Sequence, residues 1–116
     1  MYHNFKELII WQKSMDLVTD IYQASFSMPL NQQYSLTDQI QRSAISVPSN
    51  IAEGSGRGSN KEFVRFLNIS NGSCSELKTQ LLIAKNLNFL KEKVTSELIS
   101  RISEIQKMNY ALRAKF

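Results

Sequence analysis

The chain predicts an all-α fold, specifically an antiparallel up-down four-helix bundle. Four stretches carry apolar residues at alternating three- and four-residue steps. No segment shows the two-residue alternation of a strand, and no internal repeat is present. The connections are short, which favours antiparallel neighbours. At 116 residues the chain reads as a single domain, residues 1–116, large enough to bury an ordinary core without covalent staples.

Helix one runs along Leu8, Trp11, Met15, Val18 and Tyr22, and Pro29 closes the segment. A second apolar row, Ile10, Leu17, Ile21, Ala24 and Met28, lies beside the first. Together the rows cover about 200° of the helix, where a core-facing helix needs little more than ~100°. Helix one is therefore expected to bury two sides, and the protein to be a stable homo-oligomer.

Ser35 with Asp38 supplies an N-cap pair for helix two, whose stripe is Leu36, Ile40, Ala44, Val47 and Ile51. The phase passes through Pro48. A proline there removes one backbone bond and presses on the carbonyl of Ala44, at a cost of about 3 kcal/mol. The reading is a kinked but continuous helix, with a break and restart capped at Ser46 as the alternative. A polar row, Gln39, Ser43, Ser46, Asn50 and Glu53, runs beside the stripe and is either solvent face or a hydrogen-bonded seam.

Gly54 is read as ending helix two, with Gly56 and Gly58 letting the chain reverse. The order Gly54, Gly56, Gly58, Lys61 after a helix does not match the register or context of a phosphate-binding loop. Ser59 and Glu62 then form the capping box of helix three. Its core stripe is Phe63, Phe66, Leu67, Ser70, Cys74, Leu77, Leu81 and Ala84. The opposite side holds Lys61, Arg65, Gly72, Glu76 and Ile83. Gly72 in a helix interior costs about 1 kcal/mol relative to alanine, which suggests close approach by another helix or subunit. Asn88 is a suitable left-handed terminator. Helix four follows with Val94, Leu98, Ile102, Ile105, Leu112 and Phe116.

The composition narrows the chemistry. One cysteine, Cys74, and one histidine, His3, cannot form a disulfide framework, a zinc site or a Cys/His nucleophile pair within one chain. Cys74 on a core stripe reads as a small buried hydrophobe. Glu53, Glu62 and Glu76 form a nominal carboxylate set, but the interleaved Arg57, Lys61 and Arg65 argue against a bound cation. Neither a catalytic residue, a metal nor a cofactor is assigned, and the chain is not expected to be an enzyme. With no signal-peptide pattern and no apolar run near the roughly 20 residues that span a bilayer, it reads as soluble and cytoplasmic, without a membrane partner.

The formal net charge of +4 is unevenly placed: residues 1–53 carry three Lys/Arg against five Asp/Glu, residues 54–93 seven against three, and residues 94–116 four against two. The basic part begins at the glycine segment, an asymmetry compatible with an anionic partner.

The run FKELIIWQKSMDLVTDIY, then YSLTDQIQRSAISVPSNIAEGSGRGSNKEFVRFLNISNGSCSELKTQL, resembles the bacterial four-helix bundle family first noticed as proteins encoded by intervening sequences within 23S ribosomal RNA genes. That family also includes the accessory protein of diversity-generating retroelements. SVPSNIAEG and GSCSEL are the most specific parts. The chain departs at Cys74, where the family usually has a larger apolar residue, and at Asn88, where it usually has glycine. The resemblance implies a homo-oligomer, commonly a pentamer, and a nucleic-acid-associated role.

Arg57, Lys61 and Arg65 stand at four-residue steps near the N-terminal end of helix three, where the macrodipole disfavours positive charge. A phosphate would relieve that conflict, since helix N-terminal amides and Arg/Lys side chains both serve it; the plainer reading is that Glu53 and Glu62 pair with these cations on a solvated face. Two functions stand: an oligomer that binds RNA or DNA backbone through repeated basic patches, and an oligomeric scaffold or adaptor whose partner is another protein. Pro48, Asn50, Glu53, Gly54, Gly72 and Glu76 are assigned to structure or interface.

Overall fold

The computed structural model describes residues 4–116, and His3 lies outside them. Four helices form the fold: α1 (Ile9–Ser25), α2 (Leu36–Ser55), α3 (Asn60–Asn86) and α4 (Glu92–Arg113). A 3-10 turn, Phe5–Glu7, leads into α1, and a second, Leu30–Gln32, lies between α1 and α2. Each helix packs on its two chain neighbours around a closed ring, α4 returning to α1, so that α1 faces α3 and α2 faces α4 across the core. Opposed pairs fix the directions. Along α2 the residues Ser46 and Gly54 meet Ser73 and Phe66 of α3 in turn, and along α1 the residues Lys13 and Asp20 meet Glu104 and Arg101 of α4. Both pairs are antiparallel. The particle measures 45 × 24 × 19 Å, its long dimension close to the ~40 Å that a helix of α3's length spans at 1.5 Å per residue.

The core is built from the expected stripes. From α1 it takes the second apolar row: Ile10, Leu17 and Ile21 are buried, and Met28 joins them from beyond the helix. Leu8, Trp11 and Val18 of the first row are partly buried against the core, whereas Met15 is exposed. Ile40, Ala44, Val47 and Ile51 of α2 are buried, as is the α3 stripe from Phe63 to Ala84. On α4, Leu98, Ile102 and Ile105 are buried, whereas Val94 and, beyond the helix, Phe116 are only partly covered, the Phe116 ring lying 5.5 Å from that of Phe63.

The helix ends follow local chemistry. The Ser59 hydroxyl accepts from the Glu62 amide at 3.2 Å, forming the N-cap of α3. Asn88 terminates the turn after α3 with φ of 62°. Ser35 does occupy the N-cap position of α2 but makes no side-chain cap bond: its hydroxyl donates to Gln32 Oε1 at 2.9 Å, drawn back by the preceding 3-10 turn. Helix α1 ends at Ser25, ahead of Pro29. Helix α2 is continuous through a buried Pro48, and no restart occurs at Ser46. Directly before the proline, the Val47 carbonyl accepts the Ser70 hydroxyl of α3 at 2.9 Å, which ties the two helices together where α2 lacks one of its own bonds.

Gly54 refines the sequence reading. It is buried in the last turn of α2, which ends one residue later at Ser55, and its place there is set by packing rather than by a left-handed cap. A Cβ at this position would sit 2.6 Å from the Phe66 Cβ and 3.2 Å from Phe63 Cδ1. The left-handed residue of the reversal is Gly58, with φ of 83°. Gly72 is exposed, and an added Cβ would meet nothing within 4 Å, so of the two expected approaches the one by a helix of the same bundle is not made. Among the described residues no helix approaches it closely.

Candidate functional site

The close approach at Gly54 lets α3 bring Phe66 against the end of α2, and the basic residues organise around that ring. The Arg57 guanidinium carbon lies 4.9 Å from the ring centroid and that of Arg65 5.0 Å. Phe66 is buried beneath them, so the two arginines cover an apolar ring with their planar heads. Arg57 also pairs with Glu53 at 3.2 Å, and Arg65 with Glu62 at 3.4 Å. Lys61 is exposed and makes no ion pair among the described residues.

The three cations are therefore brought together at one end of the bundle, but not as three free charges. Glu53 and Glu62 against Arg57, Lys61 and Arg65 leave one net positive charge, carried by Lys61. The conflict of cations with the α3 macrodipole is met by the chain's own Glu62, in the first turn. The pairs are half exposed, which makes each a weak contributor to stability.

The polar row of α2 divides in two. Asn50 Nδ2 donates to the Ser46 carbonyl at 2.8 Å and to Ser46 Oγ at 2.9 Å. Ser46 Oγ lies 2.7 Å from Ser73 Oγ of α3, which itself donates to the Ile69 carbonyl at 3.2 Å. Amide to hydroxyl, hydroxyl to hydroxyl, hydroxyl to carbonyl gives one consistent direction of donation. This half of the row is a seam between α2 and α3; Gln39 and Glu53 face solvent. Glu76 is exposed on α3 without an ion pair among the described residues. Gly72 lies about 10 Å along the helix from Arg65 at 1.5 Å per residue, so neither joins the arginine cluster.

A second surface feature lies between α1 and α2. Trp11, Met15 and Val18 face Ile45, Pro48, Ser49 and Ala52 across a hollow of about 340 Å³. Met15 and Ile45 are each 43% exposed. The first apolar row of α1 thus lies at the rim of a core already filled by the second row. Its α2 half, like the role of Phe66, was not read from the sequence: Ile45, Ser49 and Ala52 fall outside the α2 core stripe, and only their spacing against Pro48 marks them.

Cys74 is buried, and burial pushes its thiol up to about 12, against a smaller lowering by nearby Lys78. Among the described residues no group of three or more His, Cys, Asp or Glu could hold a metal ion. No described helix is long and apolar enough to cross a membrane.

Residues 6–111 match the family described as 23S rRNA-intervening sequence protein. The chain belongs to that family. Among solved structures, it is similar to a protein of unknown function from the S23 ribosomal protein family of Bacteroides thetaiotaomicron. The TM-score is 0.83 at 21% identity, over 90% of this chain and 98% of that one. At that identity the likeness shows a shared fold. No curated protein matches the chain.

Proposed function

We propose that this member of the 23S rRNA-intervening sequence protein family is a non-catalytic homo-oligomer that binds nucleic acid through basic patches repeated around the assembly. The observation that carries the self-association is the apolar hollow lined by Trp11, Met15, Val18, Ile45, Pro48 and Ala52, from which Met15 and Ile45 stand exposed at the rim of the core. A second copy of the chain is its occupant, and the resemblance to the family favours a ring of five. The nucleic-acid part rests on the net charge of +4, on the free Lys61 at the N-terminal end of α3, and on the family's link to a ribosomal RNA gene. Repetition around a ring turns a modest patch into a strong field.

The pairing of Arg57 with Glu53 and of Arg65 with Glu62 favours a second reading, in which these charges are satisfied internally and the oligomer is a protein scaffold or adaptor. An anisotropy titration with a structured RNA and a duplex DNA at two salt concentrations separates the two. Salt-dependent binding within the ~1–100 µM range of non-specific association supports the first reading. Absence of association across that range supports the adaptor.

A further inference from the structure

The arginine cluster is largely neutralised, so the charge of the chain must be expressed elsewhere. Among the described residues five ion pairs join Lys13 to Glu104, Arg42 to Asp38, Arg57 to Glu53, Arg65 to Glu62 and Arg101 to Asp20. Each lies on α1, α2, the α1–α4 side, or the α2-proximal end of α3. The groove on the other side of α4, where it meets α3, has cations that make no ion pair among the described residues. Lys78 of α3 and Lys107 of α4 line a hollow of about 450 Å³ together with Ser103, Gln106 and Tyr110, and no carboxylate lines it.

The remaining chemistry of the groove is hydrogen-bonding and aromatic. Gln106 Nε2 bridges to Ser75 Oγ at 3.1 Å, holding the floor of the groove with an uncharged contact. Tyr110 is 70% exposed, and the Arg113 guanidinium lies 5.8 Å from its ring centroid. Arg113 also bonds Asn68, an uncharged partner, so its charge is not cancelled. A strip of Lys, Lys and Arg beside an exposed aromatic face suits a backbone of repeated phosphates whose bases are free to stack. A duplex hides the faces of its bases; a single strand offers them.

We propose that the α3–α4 groove binds single-stranded nucleic acid, with Lys78 and Lys107 on successive phosphates and Tyr110 as a stacking platform for one base. This rests on the nucleic-acid reading above and moves its principal contact away from Arg57, Lys61 and Arg65.

The test is fluorescence anisotropy of the full chain with labelled oligo(dT), oligo(U) and a duplex across a salt series. The comparison is between wild type, K78Q/K107Q, Y110A and K61Q, with circular dichroism and light scattering showing each variant folded and assembled alike. Two lost phosphate contacts lower the log–log salt slope by about 1.4 for a single strand. Losing one stacked base weakens binding about 5- to 150-fold. These losses in K78Q/K107Q and Y110A, with K61Q changing less, are the expected result. Binding that survives both variants, or a duplex bound more tightly than the single strands, overturns the inference while leaving the nucleic-acid reading standing. A wild type that binds none of the three overturns both.

Discussion

Gly54 and Phe66 approach so closely that a Cβ on the glycine would lie 2.6 Å from the Phe66 Cβ. This contact sets the spacing of α2 and α3 at the end of the bundle where Arg57 and Arg65 meet over the Phe66 ring. Since the clash is with Cβ rather than the tip of a flexible side chain, Gly54→Ala must separate the helices. It is expected to destabilise by about 1–3 kcal/mol, the usual range for overpacking, read as a lowered midpoint in urea. An unchanged midpoint would show that the contact does not set the spacing.

Gly72→Ala is the counterpart. With nothing within 4 Å of the added Cβ, the substitution should stabilise the helix by about 0.5–1 kcal/mol. A loss of assembled mass would instead place another subunit against this position, the approach that the helix-interior glycine led us to expect.

The two glycines show what the sequence discloses and what it hides. The cap at Ser59, the left-handed Asn88 and the core stripes of α2 and α3 were legible because each depends on residues close in the chain. Gly54 was not: a glycine that ends a helix and one that admits a neighbouring helix look alike until that neighbour is placed. Ser35 kept its position but lost its cap bond to Gln32, a competition between two local hydrogen bonds that spacing does not rank. Pairing of Glu53 and Glu62 with the basic residues was legible as the plainer reading of their spacing, whereas which cation is left over, Lys61, needed the actual pairing. The groove of Lys78, Lys107 and Tyr110 joins residues about thirty positions apart on successive helices, so no single helical window contains it.

Cys74 should be silent in the folded protein. Its thiol is buried and held up to about 12, so it stays protonated at pH 8–9, and Ellman's reagent should react only on unfolding. The unfolded thiol ionises near its ordinary value of 9.0 while the folded one does not. The folded state therefore binds more protons above that pH, and stability falls as pH rises from about 9 towards 12. Rapid native labelling at pH 8 would contradict the burial.

Pro48 lines the apolar hollow and leaves the Ala44 carbonyl without its helical donor. Pro48→Ala restores that bond and should preserve the fold. If the proline shapes the surface that a second copy covers, the variant loses assembled mass. Unchanged mass and melting temperature would remove Pro48 from the interface.

The hollow itself is tested most directly by mass. Light scattering at micromolar concentration should give a multiple of the 13.3 kDa chain, five copies under the proposal. Met15→Glu with Ile45→Glu, at two positions each 43% exposed in the isolated bundle, should return the folded monomer. A wild-type mass of one chain throughout the concentration range would contradict the account.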